Sequence, residues 1–213
     1  MARGATYGVC LVALKAGAAA AEPVRVLALG DSLTAGYGLA QGEGFVPALQ
    51  AWLEREGVDA VVENAGVSGD TTAGGLARVD WSLASEPDAA IVALGGNDLL
   101  RGIDPASSRA NLDGILTKLD AAGVEALLVG LEAPGNFGPD YKAAFDAMYP
   151  EVAEAHGALH EASFLGPLVA ELTPAEARAR YMQPDGIHPN AEGVQVIVEA
   201  LGPRVAELVA RVE

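Results

Sequence analysis

Three residues in two distant segments have the side chains that nucleophilic catalysis needs. Ser32 lies in the segment Gly-Asp-Ser-Leu at 30–33, and Asp185 and His188 stand three residues apart near the C-terminus. At this spacing the carboxylate can bond one ring nitrogen while the other ring nitrogen faces the serine hydroxyl. The alternative is that Ser32 or Asp31 only caps a helix, since both residue types are common caps. Together the three residues favour a serine nucleophile that Asp185 and His188 activate.

Two further segments carry groups that could stabilise a negative oxygen in a transition state. Asn97 follows a pair of glycines, and its side-chain amide can donate two hydrogen bonds without titrating. Gly69 lies in a glycine-containing loop, where the missing Cβ lets a backbone N–H approach a ligand closely. An ordinary turn explains either segment when that segment is taken alone.

Other kinds of site have weaker support in the sequence. His156 and His160 are four residues apart, but Gly157 interrupts the helix that would align them. No HExxH motif is present, so we expect no metal site. The glycines after residue 29 lack the G-x-G-x-x-G spacing of dinucleotide-binding folds, and no G-x-S-x-G nucleophile elbow occurs.

Apolar runs and helical spacing alternate along the chain in the order expected of an α/β fold. Buried parallel strands are predicted at 24–29, 60–63, 89–94 and 126–131, with a short fifth strand near 158–161. Amphipathic helices are predicted at 45–56, 73–84, 105–121, 141–155 and 190–212. This alternation predicts a doubly wound parallel sheet with helices on both faces, in which ligands bind beyond the carboxyl ends of the strands. Ser32, Gly69 and Asn97 follow such strand ends.

The N-terminal segment has the composition of a secretory signal peptide. Residues 1–21 contain Arg3, an apolar run at 8–14 and an alanine-rich exit before Glu22, which predicts export and a mature domain at 22–213. The run is too short for a transmembrane helix, and the context of Cys10 does not match a lipoprotein cysteine. Cleavage after Ala21 would remove that only cysteine.

The mature chain would have a net charge that counts against two classes of partner. It would hold 11 basic and 29 acidic residues, a formal charge of −18, which disfavours nucleic acid and anionic membranes. We therefore expect a small-molecule substrate and no stable membrane anchor, and the sequence gives no oligomeric state.

The four segments together resemble the SGNH hydrolases, also called the GDSL family, whose blocks carry Ser, Gly, Asn and His in this order. Ser32, Gly69, Asn97 and His188 occupy the four block positions. The longer segments at 32–38, 69–72, 97–102 and 182–190 are similar to the branch of periplasmic acyl-CoA thioesterases, lysophospholipases and arylesterases. The resemblance implies a three-layer α/β/α sandwich, a flavodoxin-like fold around a five-stranded, mainly parallel sheet.

The resemblance also implies a set of roles for the block residues. It implies a Ser32–His188–Asp185 triad that works through an acyl-enzyme, without a metal or organic cofactor. The oxyanion hole would consist of the N–H groups of Ser32 and Gly69 and the Asn97 amide.

The expected activity is hydrolysis of carboxylic esters or thioesters. A carbohydrate O-acetyl esterase is the alternative within the same class, and a flavodoxin-like nucleotide-binding module is the alternative from another class. Apolar residues near the blocks are expected to bind an acyl group, with the loop at 132–140 folding over the site. These residues are Leu33, Leu100, Phe137, Met182 and Ile187.

Overall fold

The computed structural model describes Met1 and residues 22–212. Apart from Met1, the predicted signal peptide and Cys10 lie outside the described residues. No helix among those described is long and apolar enough to cross a membrane.

Within residues 22–212, five parallel strands form a single sheet, which confirms the predicted α/β fold. The strands are β1 (Val24–Gly30), β2 (Ala60–Gly66), β3 (Ala89–Ala93), β4 (Glu125–Val129) and β5 (Leu159–Glu161). Their order across the sheet is β2-β1-β3-β4-β5, and all four pairings are parallel. Because the chain moves from β1 to β2 on one side and then to β3 on the other, the winding reverses beside β1. A crevice opens at such a reversal point, and ligands of doubly wound folds bind there.

In the same part of the chain, eight α-helices connect and flank the strands. They are α1 (Ser32–Ala35), α2 (Phe45–Glu56), α3 (Thr72–Ser82), α4 (Gly96–Arg101), α5 (Pro105–Ala122), α6 (Pro139–His156), α7 (Pro174–Tyr181) and α8 (Ala191–Ala210). Short 3-10 turns occupy Leu83–Ser85 and Gly166–Val169. The five predicted helices are present. The sequence did not reveal α1, α4 and α7, which span only 4, 6 and 8 residues and are too short to display a helical period.

Alternating strand residues face two separate hydrophobic layers. In β1, Val26 and Ala28 pack in the layer formed with α2 and α8, whereas Leu27 and Leu29 pack in the layer formed with α3, α5 and α6. This arrangement follows from the two-residue period of a strand, which sends successive side chains to opposite faces. The result is the three-layer α/β/α sandwich that the family resemblance implied.

Several element boundaries at the carboxyl edge of the sheet differ from the sequence prediction by one to three residues; β4, for example, ends at Val129 and not at residue 131. β2 was expected to end at residue 63 but continues to Gly66, because this edge strand has a single neighbour and can leave Glu63 and Asn64 exposed. α6 begins at Pro139, two residues earlier than predicted, because proline fits the first helical turn. The loop that was expected to cover the site is therefore shorter than residues 132–140.

Candidate active site

Ser32 occupies the first turn after β1, and its neighbour performs the capping function. The side chain of Asp31 accepts a hydrogen bond from the Leu33 N–H at 3.0 Å and is the N-cap of α1. Ser32 is the first residue of this four-residue helix, and its hydroxyl makes no cap bond. The capping alternative thus applies to Asp31 and leaves the Ser32 hydroxyl available for another partner.

A continuous chain of hydrogen bonds joins Ser32 to the C-terminal loop. Ser32 Oγ lies 2.8 Å from His188 Nε2, and His188 Nδ1 lies 2.7 Å from Asp185 Oδ2. The other carboxylate oxygen of Asp185 accepts from the N–H groups of Ile187 at 2.9 Å and His188 at 3.1 Å. The sequence predicted that these three side chains act together. The structure brings them into hydrogen-bond contact, although 156 positions separate Ser32 from His188 in the chain. In this geometry the neutral imidazole can accept the serine proton.

Hydrogen bonds keep the Asp185 carboxyl ionised. The bond from His188, followed by the backbone N–H bonds from Ile187 and His188, lowers the pKa of Asp185 from 3.8 to about 2. A carboxylate that stays negative at all ordinary pH values can orient the ring and stabilise the imidazolium form.

Asn97 and Gly69 reach the same edge of the sheet as Ser32, and all three border one cavity. Asn97 is the second residue of α4, and its Nδ2 donates to Asp31 Oδ2 over 3.3 Å. Gly69 adopts a positive φ of 86°, a conformation that favours glycine. Burial raises the pKa of Asp31, although the bonds from Leu33 and Asn97 act in the opposite direction.

A buried carboxylate fixes the position of α4 and therefore of Asn97. Asp98 is fully buried and accepts hydrogen bonds from the Thr72 N–H at 2.8 Å, the Thr72 hydroxyl at 2.6 Å and the Ser108 hydroxyl at 2.8 Å. These bonds link α3, α4 and α5 beneath the site. Sequence reasoning gave Asp98 no role, because its partners lie 26 and 10 residues away and leave no local pattern.

The cavity beside Ser32 has a volume of about 700 Å³ and a mainly apolar lining. Four of the five residues expected to bind an acyl group line it: Leu33, Leu100, Met182 and Ile187. Further apolar lining comes from Leu99, Leu131, Pro134, Leu165 and Pro174. Phe137 is not part of the lining. Its ring packs on Tyr141 with centroids 5.0 Å apart and lies against Gly102.

The two remaining histidines have separate environments. His156 ends α6, and its ring nitrogens bond Asp120 at 2.5 Å and Asp113 at 3.1 Å. His160 lies in β5, where burial lowers its pKa. Within the described part of the chain, no three His, Cys, Asp or Glu side chains are grouped as metal ligands would be.

Comparison with known proteins places the chain in a family. The profile of the GDSL-like Lipase/Acylhydrolase family matches residues 28–196. The chain is 40% identical over 184 residues to "Esterase TesA" of Pseudomonas aeruginosa, a match that covers 86% of this chain and 88% of the relative. It is 37% identical to "Thioesterase 1/protease 1/lysophospholipase L1" of Escherichia coli K12, over 93% of this chain and 90% of that one.

A solved structure with the same fold comes from an esterase of a Pseudoalteromonas species. The crystal structure of the psychrotrophic esterase EstA, inhibited by monoethylphosphonate, superimposes with a TM-score of 0.78 at 32% identity. The match covers 86% of this chain and 97% of that one. A profile match from within β1 to within α8, joined to relatives of this identity and coverage, establishes that the chain belongs to the GDSL-like lipase/acylhydrolase family.

Proposed function

We propose that this protein hydrolyses carboxylic esters and thioesters through a covalent acyl-enzyme on Ser32. The observation that carries the proposal is the hydrogen-bonded series Ser32–His188–Asp185 at the wall of an apolar cavity. A nucleophile, a base and an orienting carboxylate, with His188 within 2.8 Å of each of the other two, supply the parts that acyl transfer requires.

In the first half of the reaction, Ser32 Oγ attacks the acyl carbon while His188 Nε2 takes the hydroxyl proton. The negative charge that develops on the carbonyl oxygen is stabilised by the N–H groups of Ser32 and Gly69 and by the Asn97 amide. His188 then gives its proton to the departing alkoxide or thiolate, and the bond from the acyl carbon to that group breaks. Asp185 holds the ring orientation throughout and remains ionised.

In the second half, water replaces the departed group. His188 takes a proton from this water as the water oxygen attacks the acyl carbon. The bond between Ser32 Oγ and the acyl carbon breaks, and the proton returns to Oγ. The products are a carboxylic acid and the free enzyme.

The cavity lining supports a single-chain or aryl acyl substrate. Leucine, methionine and isoleucine side chains surround the position where an acyl group would extend, and each buried methylene can add up to about 0.8 kcal/mol. The names of two relatives, an esterase and a thioesterase/lysophospholipase, agree with such a substrate.

The carbohydrate O-acetyl esterase alternative has less support. Carbohydrate sites often present aromatic platforms, and both tryptophans lie away from the cavity, with Trp52 bonded to Glu199 and Trp81 exposed. We do not retain the nucleotide-binding alternative, because the chain belongs to an acylhydrolase family.

Hydrolysis of p-nitrophenyl esters from acetate to decanoate, beside an acetylated sugar, tests the substrate proposal. We expect kcat/KM to rise severalfold per added pair of carbons over the shorter esters, because the growing chain enters the apolar cavity. A steep preference for acetate with equal activity on the sugar would favour the carbohydrate esterase.

We also propose that residues 1–21 are a signal peptide and that the mature enzyme is exported. The order of Arg3, the apolar run and the alanine-rich exit supports this proposal. Mass spectrometry of the protein from its own host should find an N-terminus near Glu22. Soluble cytoplasmic protein that retains Met1 would contradict export.

A further inference from the structure

The nucleophile and the base lie on segments with few direct links. Among the described residues, only two hydrogen bonds join segment 30–38 to segment 182–190. One is the Ser32–His188 bond, and the other runs from the side-chain Nε2 of Gln183 to the carbonyl oxygen of Tyr37 at 2.8 Å. The Ser32–His188 bond breaks and re-forms during the proposed reaction. Of these two bonds, only the Gln183–Tyr37 bond can therefore persist through every step.

Gln183 is also bonded to its own loop by its backbone and its side chain. Its N–H donates to the His188 carbonyl at 2.8 Å, and its carbonyl accepts from the Gly186 N–H at 2.9 Å. The same Nε2 that reaches Tyr37 also donates to the Pro189 carbonyl at 2.9 Å. Gln183 therefore bonds Gly186, His188 and Pro189, all within the loop that carries the base.

Tyr37 completes the link to the nucleophile. Its N–H donates to the Ser32 carbonyl at 3.1 Å, and its ring packs against the His188 ring with centroids 4.7 Å apart. A closed circuit thus runs from Ser32 to Tyr37, to Gln183, to His188 and back to Ser32.

We propose that Gln183 is a positioning residue that holds the His188 side chain at the correct position relative to Ser32 during deacylation. The inference rests on the proposed acyl-enzyme mechanism. Once Ser32 Oγ carries an acyl group, it has no proton to donate, and the Ser32–His188 hydrogen bond is lost. His188 must then activate water while, among the described residues, the Gln183–Tyr37 bond is the remaining hydrogen bond between the two segments, beside the packing of the Tyr37 ring on His188. A misplacement of about 1 Å at this stage can cost on the order of 10²-fold in rate.

Gln183→Met tests this role, because methionine has a similar length and lacks the amide. We expect kcat to fall roughly 10- to 100-fold while KM stays the same or falls. With a p-nitrophenyl ester, intact mass spectrometry should find a larger fraction of acyl-enzyme in the variant than in the wild type, because deacylation is the step that slows.

Gln50→Met is the matched control. The Gln50 side chain makes three hydrogen bonds, to Glu54, the Ala60 carbonyl and the Val62 N–H, and it joins α2 to β2 away from the site. We expect it to lower the Tm without changing kcat or the acyl-enzyme fraction at temperatures well below that Tm.

If Gln183→Met does not fold, Gly38→Ala and its control Gly42→Ala test the role of Gln183 instead. A Cβ on Gly38 would lie 2.2 Å from Gln183 Oε1, so Gly38→Ala should displace the amide and reproduce the kinetic change. Gly42 has a similar positive φ with open space around it, so Gly42→Ala imposes comparable backbone strain without touching Gln183.

The outcomes separate this inference from the proposed function. Wild-type protein without any ester hydrolysis or acyl-enzyme would contradict the proposed function. A wild type that turns over normally, with Gln183→Met or Gly38→Ala within twofold of it in kcat and acyl-enzyme fraction, would overturn the role of Gln183 alone.

Discussion

At the scale of residues, the first block divides two tasks between adjacent side chains. Asp31 caps α1 and accepts from Asn97, whereas Ser32 faces His188. The residue types and their order in the sequence were enough to propose the nucleophile, base and orienter. The bond between Asn97 and Asp31 could not be predicted, because it joins residues 66 positions apart and depends on where β1 and β3 end.

Asn97 is expected to act on the transition state. Replacing Asn97 by alanine should lower kcat by about 10²–10³, or roughly 2.7–4 kcal/mol, because one donor to the developing oxyanion is lost. Steady-state kinetics measures the effect, with the exposed loop variant Asn136→Ala as the control. A change in KM with an intact kcat would instead make Asn97 a ground-state binder.

The acidic side of the pH–rate profile is expected to contain no ionisation of Asp185. Since Asp185 has a pKa of about 2, it stays ionised, and only a neutral His188 can accept the Ser32 proton. Thus kcat/KM should rise with pH with a slope of one and then level off.

Asp185→Asn should lower kcat by roughly 10²–10⁴-fold, because the tautomer of His188 is no longer fixed. A slope of two in the wild type, or near-full activity of His188→Ala, would contradict these roles.

At the scale of elements, long periodic segments were predictable and short ones were not. α2 was predicted with its exact limits and α5 within one residue, because each shows an apolar face over at least three turns. The short α1 and α4, which carry Ser32 and Asn97, lack a period; Asp31 caps α1, and Asp98 holds α4 through bonds from α3 and α5. The elements closest to the chemistry were therefore the hardest to predict.

His156 is expected to join α5 and α6 in a pH-dependent manner. Partial burial opposes its protonation, but hydrogen bonds to Asp120 and Asp113 outweigh burial and raise its pKa above 6.5. A raised folded-state pKa gives stability that is present below pH 6.5 and is lost as the pH rises through the folded value. Both carboxylates are solvent-exposed, which limits the effect to about 1 kcal/mol or less.

Denaturant unfolding of wild type and His156→Gln at several pH values tests this prediction. The difference in unfolding free energy should be largest near pH 5.5 and should shrink toward pH 9. A difference that stays constant or grows with pH would contradict it.

At the scale of the whole molecule, the net charge of −16 should affect the capture of charged substrates. Raising the ionic strength should increase kcat/KM for a sulfonated aryl acetate, because salt screens the repulsion between the negative protein and the anionic ester. The kcat/KM for the neutral aryl acetate should stay nearly unchanged. A fall in kcat/KM for the anionic ester would contradict this expectation. It would indicate a local positive potential near Arg101, which bonds the Gly69 carbonyl, or Arg178, which packs on Gly186.

The most direct measurement of the central claim is covalent labelling with a fluorophosphonate, read by intact mass and peptide mapping. The probe reacts preferentially with an activated serine, and the proposed mechanism assigns that activation to Ser32. Wild-type protein should gain a single adduct on the peptide that contains Ser32, His188→Ala should react far more slowly, and Ser32→Ala should remain unlabelled. An adduct on another residue, or labelling that persists in Ser32→Ala, would contradict the assignment of the nucleophile.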